Sequence, residues 1–160
     1  MDAILTTYII PIASIFVASI AFSIFYNVKR SSILLCAIGG ALGWAAYLLF
    51  FNNVGHRFVS FFIAAACITI FAEIVGRVKN VPVTIFLTIS LIPLVPGKAI
   101  FNTIESLLQM DKQGFINWGL ETFLIVLAIA FGVMFISSFV RLFFKLREKN
   151  MAKKRAAKSR

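Results

Sequence analysis

The sequence predicts an all-α integral membrane helical bundle of five transmembrane helices, the fourth broken at Pro93–Gly97. Three observations carry that expectation. Of the 160 residues, 61% are hydrophobic and 14% are charged, where a soluble domain is about half apolar and about a quarter charged. The apolar residues fall in long runs, and a run of about 20 spans a hydrocarbon core of about 30 Å. Basic residues alternate between the breaks in those runs, which the positive-inside rule reads as a topology.

The first run covers residues 4–26, with Pro11 in its first half, and closes at Asn27-Val28-Lys29-Arg30. Met1-Asp2-Ala3 lacks the basic start of a secretory signal and the run behind it is too long for one, so it is expected to stay as a span. The second run, residues 33–51, ends at Asn52-Asn53-Val54-Gly55-His56-Arg57. The third, residues 58–75, ends at Gly76-Arg77-Val78-Lys79-Asn80. The fourth, residues 81–110, is the broken one, and the fifth covers residues 118–144. Together they make one transmembrane domain, residues 1–144, followed by a basic tail, residues 145–160. No run shows the period-2 alternation that a membrane barrel requires.

Charge sets the expected orientation. Lys29 and Arg30 mark the first loop, Arg77 and Lys79 the third, and nine Lys/Arg against one Glu fill residues 141–160. The second loop has Arg57 alone, and in the fourth region Lys98 and Lys112 are offset by Glu105 and Asp111. The pattern places the N-terminus outside and the C-terminus in the cytoplasm of a multi-pass cell-membrane protein. The net charge of +10 is thus mostly one tail beside a membrane segment, where anionic lipid attracts it; no nucleic-acid partner is expected. Cys36 and Cys67 sit inside apolar runs without metal spacing. One histidine, His56, and no nucleophile–base pair or Gly-rich phosphate loop give no reason to expect an enzyme, a metal or a cofactor.

The informative segment is Ser90-Leu91-Ile92-Pro93-Leu94-Val95-Pro96-Gly97-Lys98. A proline inside a helix removes one hydrogen bond and clashes with the preceding turn. Residues 81–95 reach only about 22 Å at about 1.5 Å each, so the break at Pro93, Pro96 and Gly97 falls inside the membrane or at its outer boundary. Irregular backbone is tolerated there only if buried in protein or lining a wet cavity, and a half-helix N-terminus at such a break attracts an anionic group. Lys98, Asn102, Glu105 and Gln109 then line one helical face, opposite Ile100, Ile104, Leu107 and Leu108. That stripe either faces a substrate path, with Lys98, Asn102, Thr103 and Glu105 as its residues, or lies at the interface. Glu73, four residues before Arg77, and Glu121, in the fifth run, are candidates for ion coupling. Gly39, Gly40 and Gly43 make a small-residue face suited to close helix packing.

Three segments, in order, resemble the threonine/serine exporter family, specifically its small five-span subunit, the counterpart of the C-terminal half of single-chain members. Phe25-Tyr26-Asn27-Val28 leading into Leu35-Cys36-Ala37-Ile38-Gly39-Gly40-Ala41-Leu42-Gly43-Trp44 is similar to that family's Phe-Asn-Val-Pro turn and small-residue helix. Ile92-Pro93-Leu94-Val95-Pro96-Gly97 is similar to its Pro-x-x-Pro-Gly signature, and the polar stretch to Met110 with a last span and a basic tail completes the order. Lys29 stands where the family usually has proline. The resemblance implies an exporter of small carboxylate-bearing metabolites, threonine and serine in some members and C4-dicarboxylates such as succinate in others. It also implies an ion or proton gradient as driving force and a companion five-span membrane subunit. The alternative is a membrane scaffold or accessory subunit that transports nothing and uses the broken segment to dock a partner.

Overall fold

The computed structural model describes the backbone of residues 5–158 and the side chains of residues 6–146. Among the described residues there is no strand. A π-helical turn, Leu5–Ile9, leads into α1 (Ile10–Phe25), and α2 (Arg30–Val54), α3 (Arg57–Lys79), α4 (Val83–Leu91), α5 (Gly97–Leu108) and α6 (Lys112–Lys158) follow. Four stretches are long and apolar enough to cross a membrane: Thr6–Phe25, Arg30–Val54, Arg57–Lys79 and Lys112–Leu146. The fifth candidate crossing is a bent pair, in which Val83–Leu94 and Gly97–Leu108 meet at 53°. This is the all-α membrane bundle with the broken fourth crossing that the sequence predicts.

The helices run past the apolar runs that announce them. α3 continues through Arg77 and Lys79, because cations in a last turn interact favourably with the helix dipole. The chain turns instead at Asn80, in the left-handed conformation (φ 51°), with Pro82 preceding α4. Asn27 (φ 53°) ends α1 in the same way, and Gly55 (φ 71°) ends α2. Asparagine and glycine are the residues that adopt this cap with least strain. Lys29 caps α2 at φ −53°, close to the value a proline ring imposes, so the first turn keeps a proline-compatible backbone without proline. α6 stays helical through the basic stretch, to Lys158.

α2 is the hub of the N-terminal half. A side chain at Gly39 would overlap Ser90 of α4, one at Gly40 would overlap Ser19 of α1, and one at Gly43 would overlap Ile68 of α3. Three glycines on one helix therefore admit three different neighbours, each closer than a Cβ allows. Ser90 Oγ uses its approach to donate to the Cys36 carbonyl, 3.1 Å away. A second seam joins α3 to α6, where Phe61, Ala64, Ala65 and Ile68 pack with Ile125 and Ala128. There Gly132 lies against backbone: an added Cβ would stand 2.8 Å from the Phe62 carbonyl oxygen and 3.1 Å from Ala65 Cβ.

A backbone carbonyl cannot rotate away as a side chain can, so Gly132→Ala is expected to cost about 1–3 kcal/mol through overpacking. It should lower the thermal unfolding midpoint of the detergent-solubilised protein. Gly97→Ala should leave the midpoint unchanged, because a Cβ there meets nothing within 4 Å and φ lies outside the left-handed region. Equal midpoints for the two variants would show that the α3–α6 seam is looser than described.

Candidate functional site

The site begins where α4 stops. Residues Ile92–Leu94 tighten into a 3-10 turn, with Val95 N–H donating to the Ile92 carbonyl at 3.2 Å. Pro96 has φ −76° and ψ 65°, the geometry of an inverse γ-turn, closed by Gly97 N–H to the Val95 carbonyl at 2.8 Å. Ile100 N–H then reaches the Pro96 carbonyl at 3.1 Å and α5 is under way. Proline brings no N–H of its own, so Pro93 and Pro96 leave no donor stranded at the break. The N–H groups of Lys98 and Ala99, in the first turn of α5, have no intramolecular partner, as expected at a helix start.

Those groups border a cavity of about 280 Å³ whose wall includes Pro96, Gly97 and Lys98 from the break. Opposite stand aromatic rings of α2 and α3: Trp44 and Tyr47 with centroids 5.0 Å apart, and Phe61 4.6 Å from Tyr47. Arg57, the first residue of α3, donates through Nη1 to Glu121 of α6, and both line the same cavity. The indole N–H of Trp44 is sealed from solvent and lacks a hydrogen-bond partner. The cavity thus offers two cations, one carboxylate, two free backbone donors and a wall of rings.

Of the four path residues expected from the sequence, only Lys98 lines this cavity. Thr103 turns toward α6, donating to the Ala99 carbonyl at 2.7 Å with its oxygen 3.2 Å from Thr122 Oγ1. Asn102 is half-buried beside it, and Glu105 is exposed, accepting from Gln109 Nε2 at 3.3 Å. α5 packs on α6 through its small residues, with Ala99 and Ser106 buried. Its seam is therefore neither the polar stripe nor the apolar one. Trp44, Tyr47 and Arg57 carry no local signal for this site, since no spacing links them to residues 98 and 121.

The other coupling candidate lies at the far end of α3. Glu73 is 2% exposed and accepts from Arg77 Nη2 at 3.1 Å, while Arg141 Nε of α6 stands 3.7 Å from its other oxygen. The Arg77 guanidinium also lies 4.1 Å from the Phe144 ring centroid, a cation–π contact. The i,i+4 pair was legible in the sequence; its α6 partners were not.

The family profile described as Threonine/Serine exporter, ThrE, matches residues 11–139, most of the chain and all of the cavity wall. Comparison with curated proteins and with solved structures returns no match.

Glu73 yields a stability prediction with a definite order. Arg77→Gln leaves a buried carboxylate with only the more distant Arg141, and stranding a buried charge costs about 3–5 kcal/mol. Glu73→Gln removes that charge itself and leaves two arginines that reach solvent. Arg77→Gln is therefore expected to lower the thermal midpoint more than Glu73→Gln, with the double variant recovering part of the loss. The reverse order would remove Glu73 from the buried, paired role described here.

Proposed function

The chain belongs to the threonine/serine exporter family, and from that membership we propose that it is a subunit of a secondary exporter for small carboxylate-bearing metabolites. It works in the cytoplasmic membrane with its N-terminus outside, beside a companion five-span subunit, and draws on an ion or proton gradient. The observation that carries this reading is the cavity at the broken helix, where Lys98 and the free N–H groups of Lys98 and Ala99 converge. A carboxylate there gains charge-assisted hydrogen bonds of the strong kind and the favourable end of the α5 dipole.

Glu121 favours an amino acid over a dicarboxylate. Its carboxylate repels a second negative charge, whereas the ammonium of threonine or serine replaces part of its pairing with Arg57. The rings of Trp44 and Tyr47 suit the same ammonium through their π-faces. Substrate arrival also loosens Arg57–Glu121, the bridge between α3 and α6, and so couples binding to the helix pair that closes this end. Glu73 is the coupling candidate at the opposite end. The accessory-subunit alternative finds its support in α5, whose Phe101, Ile104 and Leu108 are exposed.

Efflux of threonine and succinate from cells carrying variants at matched protein levels tests the reading. Removing one charge-assisted contact costs about 1.5–3 kcal/mol, so Lys98→Ala should slow export about tenfold or more. Glu121→Gln should slow threonine efflux by a similar factor and spare succinate. Glu105→Gln, away from the cavity, should change neither. Wild-type efflux with Lys98→Ala would end the site assignment.

A further inference from the structure

A second cavity, about 310 Å³, lies at the other end of α4, between the turn that ends α1 and the α4 face carrying Thr84 and Thr88. Asn27 and Lys29 form its rim and Ile89 its floor, and no carboxylate lines it. Its hydroxyls behave differently from the rest. The other threonines inside α-helices, Thr69, Thr103 and Thr122, each donate to the carbonyl one turn back, at 2.7, 2.7 and 2.8 Å. Thr88 has the Thr84 carbonyl in the equivalent position and leaves that bond unmade, and neither Thr84 nor Thr88 has another side-chain partner. In a helix surrounded by hydrocarbon, back-bonding is what satisfies such a hydroxyl. Thr88 forgoes it, Thr84 sits in the first turn with no helical carbonyl behind it, and both are exposed beside the exposed Lys29, where their donors are open to a ligand.

The floor of this cavity is closed. Ile89 is 2% exposed, and behind it Phe86, Ser90 and Leu94 are buried. Beyond them is the cavity at the break, whose first residue, Val95, is about 9 Å farther along the chain at helical rise. One short element, α4 with its 3-10 turn, thus separates two cavities, one bordered by Lys29 and the other by Lys98.

We propose that the Lys29 cavity is a second station for the exporter's cargo, a small carboxylate with a further polar group. Lys29 receives the carboxylate, and Thr84 and Thr88 donate to its oxygens or to the second group. This rests on the exporter reading above. The shape favours a compact solute over a lipid headgroup. Thr88 lies one turn, about 5.4 Å, deeper than Thr84. A phosphate held at Lys29 would leave Thr88 facing acyl chain, which accepts no hydrogen bond.

Single cysteines at the two stations test the proposal, Thr88→Cys and Val95→Cys, the latter on the wall of the break cavity, in the full chain carrying Cys67→Ala; Cys36 is fully buried. The protein is held in phosphatidylcholine nanodiscs, and labelling by a negatively charged methanethiosulfonate is timed. Millimolar threonine or succinate is expected to slow labelling at both positions. Lys29→Gln is expected to abolish protection at position 88 alone and to slow its basal labelling about threefold, as loss of one nearby charge implies. Protection at 95 without protection at 88 overturns the second station and leaves the break site standing. Protection at neither overturns both. Slowing at 88 by phosphatidylglycerol in the disc, with no effect of the carboxylates, assigns the cavity to lipid and overturns the proposal. Thr84→Cys serves in place of Thr88→Cys if that variant is not monodisperse.

Discussion

A backbone that stops being helical inside a membrane must find partners for its polar groups, and the architecture of this bundle follows from how that is done at Pro93–Gly97. Hydrocarbon offers no hydrogen bonds, so each orphan group costs several kcal/mol unless protein or a wet cavity receives it. The two prolines remove donors outright, and the γ-turn at Pro96 uses the next one. What is left over, the N–H groups of Lys98 and Ala99, belongs to residues on the wall of a cavity. Leu94 and Pro96 are buried, and Gly39 with the Ser90–Cys36 bond holds α4 close to α2, which brings part of the break into protein while Val95 stays exposed. Polar residues gather at this place because the break has already made it polar.

The same logic of unaffordable isolation fixes the charges on α3 and α6. These two helices are joined at one end by Arg57 and Glu121 and at the other by Glu73 and Arg141. Glu121 and Arg141 are 20 residues apart on one helix, about 30 Å at helical rise, which is the thickness of the hydrocarbon core. The two ion pairs therefore sit at the two boundaries, with the close-packed, uncharged seam of Ala65 and Gly132 between them. An arrangement pinned at both ends and smooth in the middle suits a pair of helices that parts at one end at a time. Releasing one clamp leaves the other as a pivot.

The crossings were legible in the sequence because run length, hydropathy and loop charge are local properties, and a bilayer imposes them segment by segment. The break was legible for the same reason: Pro93, Pro96 and Gly97 act on their own backbone. The cavity wall was mostly not. Lys98 was accessible through its place just after the break, but Arg57 read as a loop charge and Trp44 only as the end of a small-residue segment, because their placement depends on which helix faces which. The polar stripe of α5 misled in a particular way. A 4-3-4 spacing identifies a face without saying what it faces, and the seam with α6 is made by Ala99 and Ser106, small residues that periodicity ignores.

That seam settles what α5 does along its length. Thr103 meets Thr122, and Ser106 lies against the position a Cβ on Gly114 would occupy, so α5 runs antiparallel to the start of α6. Its first turn is level with Glu121 and borders the cavity; its later turns run toward Asp111, away from the core. α6 itself begins nine residues before Glu121, about 13 Å farther out. The first turn of α5 thus borders the cavity, while its later residues lie away from it. Leu107 and Leu108, exposed on the outer part, extend an apolar face past the level of Glu121. Water does not suit such a face, so membrane interface or a partner subunit must cover it. In either case the cover is attached, through one short helix, to Lys98 on the cavity wall.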